Sequence, residues 1–315
     1  MSDILVQRQS VQAGTRTMRA PRHIRSSQWR TNLVGLSFVA PFLIIYAIFL
    51  IWPVILGLAM SFYNWTLAGA ATFLGLRNYQ ELFGDADFWI SLRNTATFTI
   101  ISTPVLVLLA LVLALLANRA IPARWLFRLV FFAPVALPVT VAVIIWNWMY
   151  QPGFGLINNM LASLHLSQPD WLNDPKVAMI SVVILTVWWT LGNNFLLYLA
   201  GLQQIPRDLY EAASTDGAGS WAKFRWVTIP QLSRITTLIL ILQVIASLQV
   251  FGQIYLLTSG GPNFSTRPVI QYIYETGFSS FRMGYASAGS YVLFVLILIV
   301  TIIQFTLLQR QRRNA

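Results

Sequence analysis

The chain has 315 residues, 57% of them hydrophobic and only 10% charged, with a net charge of +11. Soluble domains carry about 25% charged residues, so the composition excludes an ordinary soluble domain pair of this length and places the chain in the membrane class. There is no cysteine, which removes disulfides, thiol chemistry and cysteine-held metal, and the basic excess suits the cytoplasmic loops of a membrane protein better than nucleic-acid binding.

Residues 1–32 are polar and Arg-rich, and are expected to form a disordered cytoplasmic tail. The apolar run that follows is too long for a signal core of about 7–15 residues, so it reads as an uncleaved anchor. Six runs are long enough to cross a hydrocarbon core, which takes about 20 helical residues. They are Leu33–Ser61, Thr95–Ala117, Leu126–Tyr150, Val177–Leu202, Ile235–Thr258 and Ala286–Leu308. None holds Asp, Glu, Lys or Arg except Arg128 near the start of the third. No water reaches the backbone there, so the spans must be helical and the fold all-α and polytopic. Pro41, Pro53, Pro104, Pro134 and Pro138 fall in or near spans, where they kink helices rather than end them.

The tail, the second and fourth connections and the C-terminus collect most of the Lys and Arg. The opposite set keeps Arg77, Arg93, Lys176, Arg267 and Arg282. That bias predicts both termini, including 311–315, in the cytoplasm. Trp29, Trp65, Trp125, Trp148 and Tyr150 sit at predicted interfaces, as aromatic belts do. The two histidines, His23 and His165, have no carboxylate at ligand spacing, so no metal site is expected.

The fourth connection, residues 205–231, reads IPRDLYEAASTDGAGSWAKFRWVTIPQ. Pro206 suits the first turn of a helix. Asp208 and Glu211 lie near its positive end, Ala212 and Ala213 leave a shallow surface, and Gly217 can end it. Residues 219–227 are expected to form a second short helix, capped by Ser220, with Pro230 before re-entry into the membrane. An ordinary solvated connection would also explain these residues.

The loop nevertheless resembles the EAA loop of the membrane subunits of bacterial ATP-binding cassette importers. Glu211, Ala212, Ala213, Gly217, Val227, Ile229 and Pro230 stand at that family's spacing, and Asp216 extends the match. Val227 and Ile229 replace a commoner Ile and Leu. SLRNT at 91–95, RLVFFAPVALP at 128–138, WNWMYQPGFGLIN at 146–158 and IYLLTSGGP at 254–262 are similar to the carbohydrate branch, in particular to the larger maltose and glycerol-phosphate permease subunits. The resemblance covers about residues 33–310, which makes these the six-helix permease domain of a type I importer fold.

The resemblance implies a bacterial inner-membrane permease, a second permease subunit forming a heterodimer, two ATPase subunits and an extracytoplasmic sugar-binding protein. Glu211, Ala212, Ala213, Asp216, Gly217 and Pro230 would make the ATPase-coupling loop, with Glu211 paired to a basic residue. The chain has no GxxxxGK[ST] loop, so it is expected to hold no cofactor and to leave ATP and Mg to its partner ATPase.

A sugar asks for amides, hydroxyls and aromatic faces. Trp188, Trp189, Asn193 and Asn194 in the fourth span offer these. In the fifth, Gln243 and Ser247 are spaced i, i+4 on one face, and Gln249 and Gln253 form a second such pair. In the maltose-type relatives, sugar contacts come from these two spans, and Gln243, Ser247 and Gln249 occupy matching positions. Trp189, Asn193, Asn194, Gln243, Ser247 and Gln249 are the candidate path. The same residues would serve as polar glue between helices. A secondary transporter or channel for a small polar solute is the alternative, but such proteins place ionisable groups at mid-membrane and this chain does not. An integral-membrane enzyme would need a nucleophile, metal cluster or acid/base pair near the interface.

Overall fold

The structure, a computed structural model, describes residues 36–66, 72–118 and 124–313. The expected tail over 1–32, with its arginines, lies outside the described residues, as do Arg119 and the side chains from 308 onward. The chain divides after Leu56 into two units. In the first, the described part is the opening of helix α1 (Leu36–Met60). Its rings, Phe38, Phe42 and Phe49 among them, are exposed, as befits a helix apolar all round. A π turn over Ala47–Ile51 precedes Pro53, whose missing N–H leaves the Phe49 carbonyl without its usual donor.

The second unit takes in the last turn of α1 and then a small hairpin, β1 (Tyr63–Asn64) pairing antiparallel with β2 (Thr72–Phe73). Helix α2 (Arg77–Gly84) leads into α3 (Ala86–Asn118). Then come α4 (Arg124–Phe132), a 3-10 turn at Ala133–Ala136, α5 (Val139–Tyr150), α6 (Leu156–Ser163), α7 (Ala178–Gln203) and α8 (Arg207–Thr215). Helix α9 (Ser220–Leu248) is continuous. Helix α10 (Gly252–Thr258), α11 (Val269–Tyr274) with a π turn over Glu275–Ser279, and α12 (Met283–Arg313) complete the fold.

Five of these helices, α1, α3, α7, α9 and α12, are long and apolar enough to cross a membrane, and a sixth crossing needs a bent pair. The expected third span is that pair: the chain bends by 103° between Trp125–Ala136 and Val139–Tyr150. Pro134 and Pro138 bracket the break, and neither has an N–H to continue the ladder.

Two more expectations are corrected. Residues 219–227 are not a separate short helix; they are the first turns of α9. Pro230 cannot donate to Trp226, and the helix widens to a π turn over Phe224–Thr228 and runs on. The fifth span does not run unbroken to Thr258 either. It stops at Leu248, and Val250 turns into a buried cluster with Trp146, Leu185 and Ile254. Helix α3 also begins nine residues before the expected Thr95, because Phe88 and Ser91 already face the core.

Helices α3 and α7 make the most extensive pair, with α9 packed on both. Ala110, Ala114 and Ala117 of α3 are fully buried against Phe195, Tyr198 and Leu202 of α7 and Ile239 of α9. Lipid is as apolar as leucine, so close backbone approach over small side chains supplies the attraction. Gly192 of α7 meets α4 most closely. A Cβ there would lie 2.8 Å from the Phe131 carbonyl and 3.0 Å from Phe132 Cα.

At one end of this unit, segments far apart in sequence are tied together. Asn94 of the SLRNT stretch donates to the carbonyls of Phe264 (2.7 Å) and Arg267 (3.1 Å). Arg267 is buried, donates to Ser91 Oγ at 3.2 Å, and pairs with Asp87 at 3.4 Å. The TSGGP turn is thus clamped to α3, and Gly260 (φ +80°) lies so close to Arg267 and Gln271 that no Cβ fits.

Candidate coupling loop and intramembrane polar network

The loop between α7 and α9 is a short exposed helix with a defined stop. Pro206 is the N-cap of α8, and Asp208 lies in its first turn, where the dipole favours an anion. At its C-terminus the Ala218 N–H reaches the Ala213 carbonyl at 2.8 Å, and the Gly217 N–H reaches Ser214 at 3.1 Å. This pair of bonds is a Schellman closure, which needs a left-handed residue at its turn. Gly217, at φ +79°, supplies it. Tyr210 anchors the helix from beneath, its hydroxyl 2.9 Å from the buried Thr228 Oγ1 in the π turn of α9. Sequence reading missed both Tyr210 and Thr228; an aromatic one residue before the Glu-Ala-Ala run was the available signal.

Glu211, Ala212, Asp216, Gly217 and Pro230 are all exposed, and Ala213 is half-buried. Among the described residues, Asp208, Glu211 and Asp216 have no ion-pair partner. Trp221 and Trp226 present their rings outward beside them. Two hollows lie along the loop. One, of about 550 Å³, is lined by Gly201, Gln204, Pro230, Gln231 and Arg234. The other, of about 530 Å³, lies among Leu115, Tyr210, Trp221, Phe224 and Thr228.

The second constellation lies among α3, α7 and α9. Asn194 Nδ2 donates to Gln243 Oε1 at 2.8 Å, and Gln243 Nε2 donates to Ser247 Oγ at 3.1 Å. Ser247 Oγ in turn stands 3.4 Å from both Ser102 Oγ and Thr103 Oγ1 of α3. Asn194 and Ser247 are buried. Sequence reading placed Asn194, Gln243 and Ser247 together but missed the α3 hydroxyls, signalled by Ser and Thr at 91, 95, 99 and 102.

The other candidates do not join this network. Trp189 donates its indole N–H to the Leu137 carbonyl at 3.0 Å, satisfying an acceptor at the α4–α5 break. Asn193 and Gln249 are exposed, with no side-chain hydrogen bond among the described residues. The expected Gln249–Gln253 pair is undone by the break after Leu248. Gln253 turns instead to Thr186 Oγ1 at 3.4 Å.

A sequence profile described as the binding-protein-dependent transport system inner membrane component matches residues 94–313. The chain belongs to that family. The match runs from Asn94 through the loop and network to the end of α12, so both constellations are parts of a transport permease in the inner membrane. The chain is 34% identical to the sulfoquinovosyl glycerol transport system permease protein of Agrobacterium fabrum, over 92% of this chain and 94% of that one. It is 35% identical to the trehalose/maltose transport system permease protein of Thermococcus litoralis, over 88% and 94%. In fold it is similar to a chain of a bacterial ABC transporter that imports the acidic polysaccharide alginate. The TM-score is 0.81 at 23% identity, over 91% of this chain and 98% of that one. This is the type I ABC importer permease fold.

Proposed function

We propose that the chain is the membrane subunit of a sugar importer and that α8 is the joint through which a separate ATPase moves it. The observation that carries this reading is the exposed α8 helix. Its carboxylates are free of ion pairs among the described residues, its end is closed by Gly217, and Tyr210 fastens it to α9. Such a closure is common at helix ends; the Tyr210 tie to Thr228 is what makes this helix a rigid knob through which a partner's movement can reach a span. In this reading Glu211 meets a basic residue of the ATPase, Ala212, Ala213 and Asp216 complete the contact, and Pro230 sets the entry of α9. ATP and Mg stay on the partner, and both termini lie in the cytoplasm with α8.

Several relatives are named for sugars, among them trehalose/maltose and lactose, which supports a sugar or related polyol as cargo. A solved alginate transporter similar in fold was captured with a periplasmic protein carrying an alginate pentasaccharide. That supports an extracytoplasmic binding protein as a partner here, beside a second permease subunit. Asn193 and Gln249, with free amides, are the strongest sugar contacts. Gln243, Asn194 and Ser247 form the wall behind them, and Trp189 holds the bent span in place.

The test uses the assembled complex in proteoliposomes with its binding protein and a panel of sugars. Glu211→Lys should leave insertion and assembly intact while lowering ATP-driven uptake by about tenfold or more. Normal uptake by that variant, or wild-type uptake of no sugar in the panel, would sink the reading.

A further inference from the structure

Four aromatic rings form one connected patch at the end of the second unit that carries α10 and α11: three meet in a triangle and the fourth extends it. Phe251 stacks on Tyr255 with centroids 5.2 Å apart and planes inclined by 25°. Tyr274 touches both, at 5.4 and 5.7 Å, and Phe278 extends the patch from Tyr274 at 5.3 Å. Two rings come from the start of α10 and two from α11 and its π turn, so the patch is assembled by the tertiary fold. Phe278 is 60% exposed and the two tyrosines more than a third. Neither tyrosine hydroxyl has a hydrogen-bond partner among the described residues. At its inner end, Phe251 lines a cavity of about 650 Å³ that Gln249 also lines, with Ser290 and Thr301 among apolar neighbours. No charged residue lines that cavity.

We propose that this patch, taken as a row from Phe278 through Tyr274 to the Phe251–Tyr255 pair, is a stacking track for successive rings of a linear, uncharged oligosaccharide, leading it to the cavity at Gln249. The proposal rests on the sugar-import reading and narrows its substrate class. One face of a hexose ring presents C–H groups that sit well on the negative face of an aromatic ring. The sugar hydroxyls can then bond to the two free phenols and the Gln249 amide. An acidic sugar would enter a cavity with no counter-charge, at a high desolvation cost. Interfacial belts also expose aromatic rings, but a belt does not require contact between neighbouring rings, nor a row that ends at a free amide. A single sugar ring would occupy one step at a time, so only a chain of rings gains from the row.

The experiment measures uptake of neutral hexose oligomers of increasing length by the complete complex in proteoliposomes with its binding protein. Apparent affinity in the wild type should rise with length. Tyr274→Leu/Phe278→Leu should remove that rise, with a loss of about tenfold for the longest oligomer, the order expected for two lost aromatic contacts. Uptake of the single sugar should fall much less than that of the longest oligomer. Phe278→Leu alone, at an exposed position, should give a smaller loss of the same kind without touching folding. Tyr255→Phe/Tyr274→Phe keeps the rings and should keep the length dependence.

An unaltered length dependence in both leucine variants would overturn the track and make the row a lipid-facing belt. Failure of the leucine variants to assemble with the second permease would overturn it in favour of a subunit contact. Wild-type uptake of single sugars but no longer ones would overturn the track and leave the import reading standing. Uptake of no sugar would overturn both.

Discussion

The amide of Asn194 in α7 donates to the side-chain carbonyl of Gln243 in α9 across 2.8 Å. Through Gln243 and Ser247 the tie reaches Ser102 and Thr103 of α3. Three helices with no charge between them are thereby held in one register. Asn194→Leu leaves the Gln243 carbonyl without its donor, at a cost of about 1–2 kcal/mol. Asn194→Leu/Gln243→Leu should cost less than the sum of the single changes, because the second removes the stranded group. Unfolding of the detergent-solubilised protein reads this directly, and strict additivity would mean that the two amides do not pair.

Gly217 is required for its backbone angle rather than for space. A Cβ there meets nothing within 4 Å, yet φ is +79°. Gly217→Ala should therefore cost about 1 kcal/mol locally, while Gly217→Asn, which tolerates this conformation better, should cost less. Hydrogen exchange at the Ala218 amide is the measurement. Faster exchange is expected in the alanine variant, and unchanged exchange would show that the closure does not depend on glycine.

Gly192 is the opposite case, with an ordinary backbone and no space. Its added methyl would press on the Phe131 carbonyl and Val135 Cγ2, both at 2.8 Å. Backbone cannot swing aside, so Gly192→Ala should destabilise by about 1–3 kcal/mol. Gly84→Ala, where nothing lies within 4 Å, is the control and should be neutral or slightly stabilising. Equal melting temperatures for the two variants would contradict the close packing of α7 on α4.

Asp85 gives the fold an acid limit. Its Oδ1 accepts the Asp87 N–H at 2.8 Å, capping α3, and its Oδ2 accepts the hydroxyls of Tyr272 and Tyr285. Burial alone would raise its pKa, but the Tyr272 bond, the Asp87 N–H, Tyr285 and the Phe88 N–H outweigh it, and the carboxyl is held below its ordinary 3.8. The ionised form is the one the fold favours. Its contribution is therefore complete above pH 3.8 and is lost as pH falls below it. Burial, reinforced by the Asp85 bond, pushes Tyr272 up, so its proton stays in place across the neutral range. Asp85→Asn should lower stability at neutral pH and flatten the loss of stability in acid, as read by thermal unfolding at stepped pH. An identical acid limb in wild type and variant would remove Asp85 from that role.

Much of the membrane architecture is legible in the chain because composition and run length act locally. A long apolar run without charge has no stable alternative to a helix in lipid, and α7 falls within a residue of its expected bounds. The end of α8 was equally legible, since Gly217 is the residue that a left-handed stop favours. The breaks were not. Pro138 could kink a span or nearly fold it back, and the 103° bend follows from how α7 meets it, with Trp189 supplying the Leu137 carbonyl. Pro230, which reads as a boundary, is absorbed by a π turn.

The sequence by itself determined that the chain is a polytopic membrane protein with helical spans and a short polar helix between two of them, because hydropathy and turn chemistry are properties of neighbouring residues. Only the tertiary structure decided which polar groups are used up and which remain free. Gln249 and Gln253 look alike along the chain, and a helix break three residues long leaves the first open and sends the second to Thr186. Hydrogen bonding saturates each donor and acceptor through whichever partner lies within reach, and reach is set by packing.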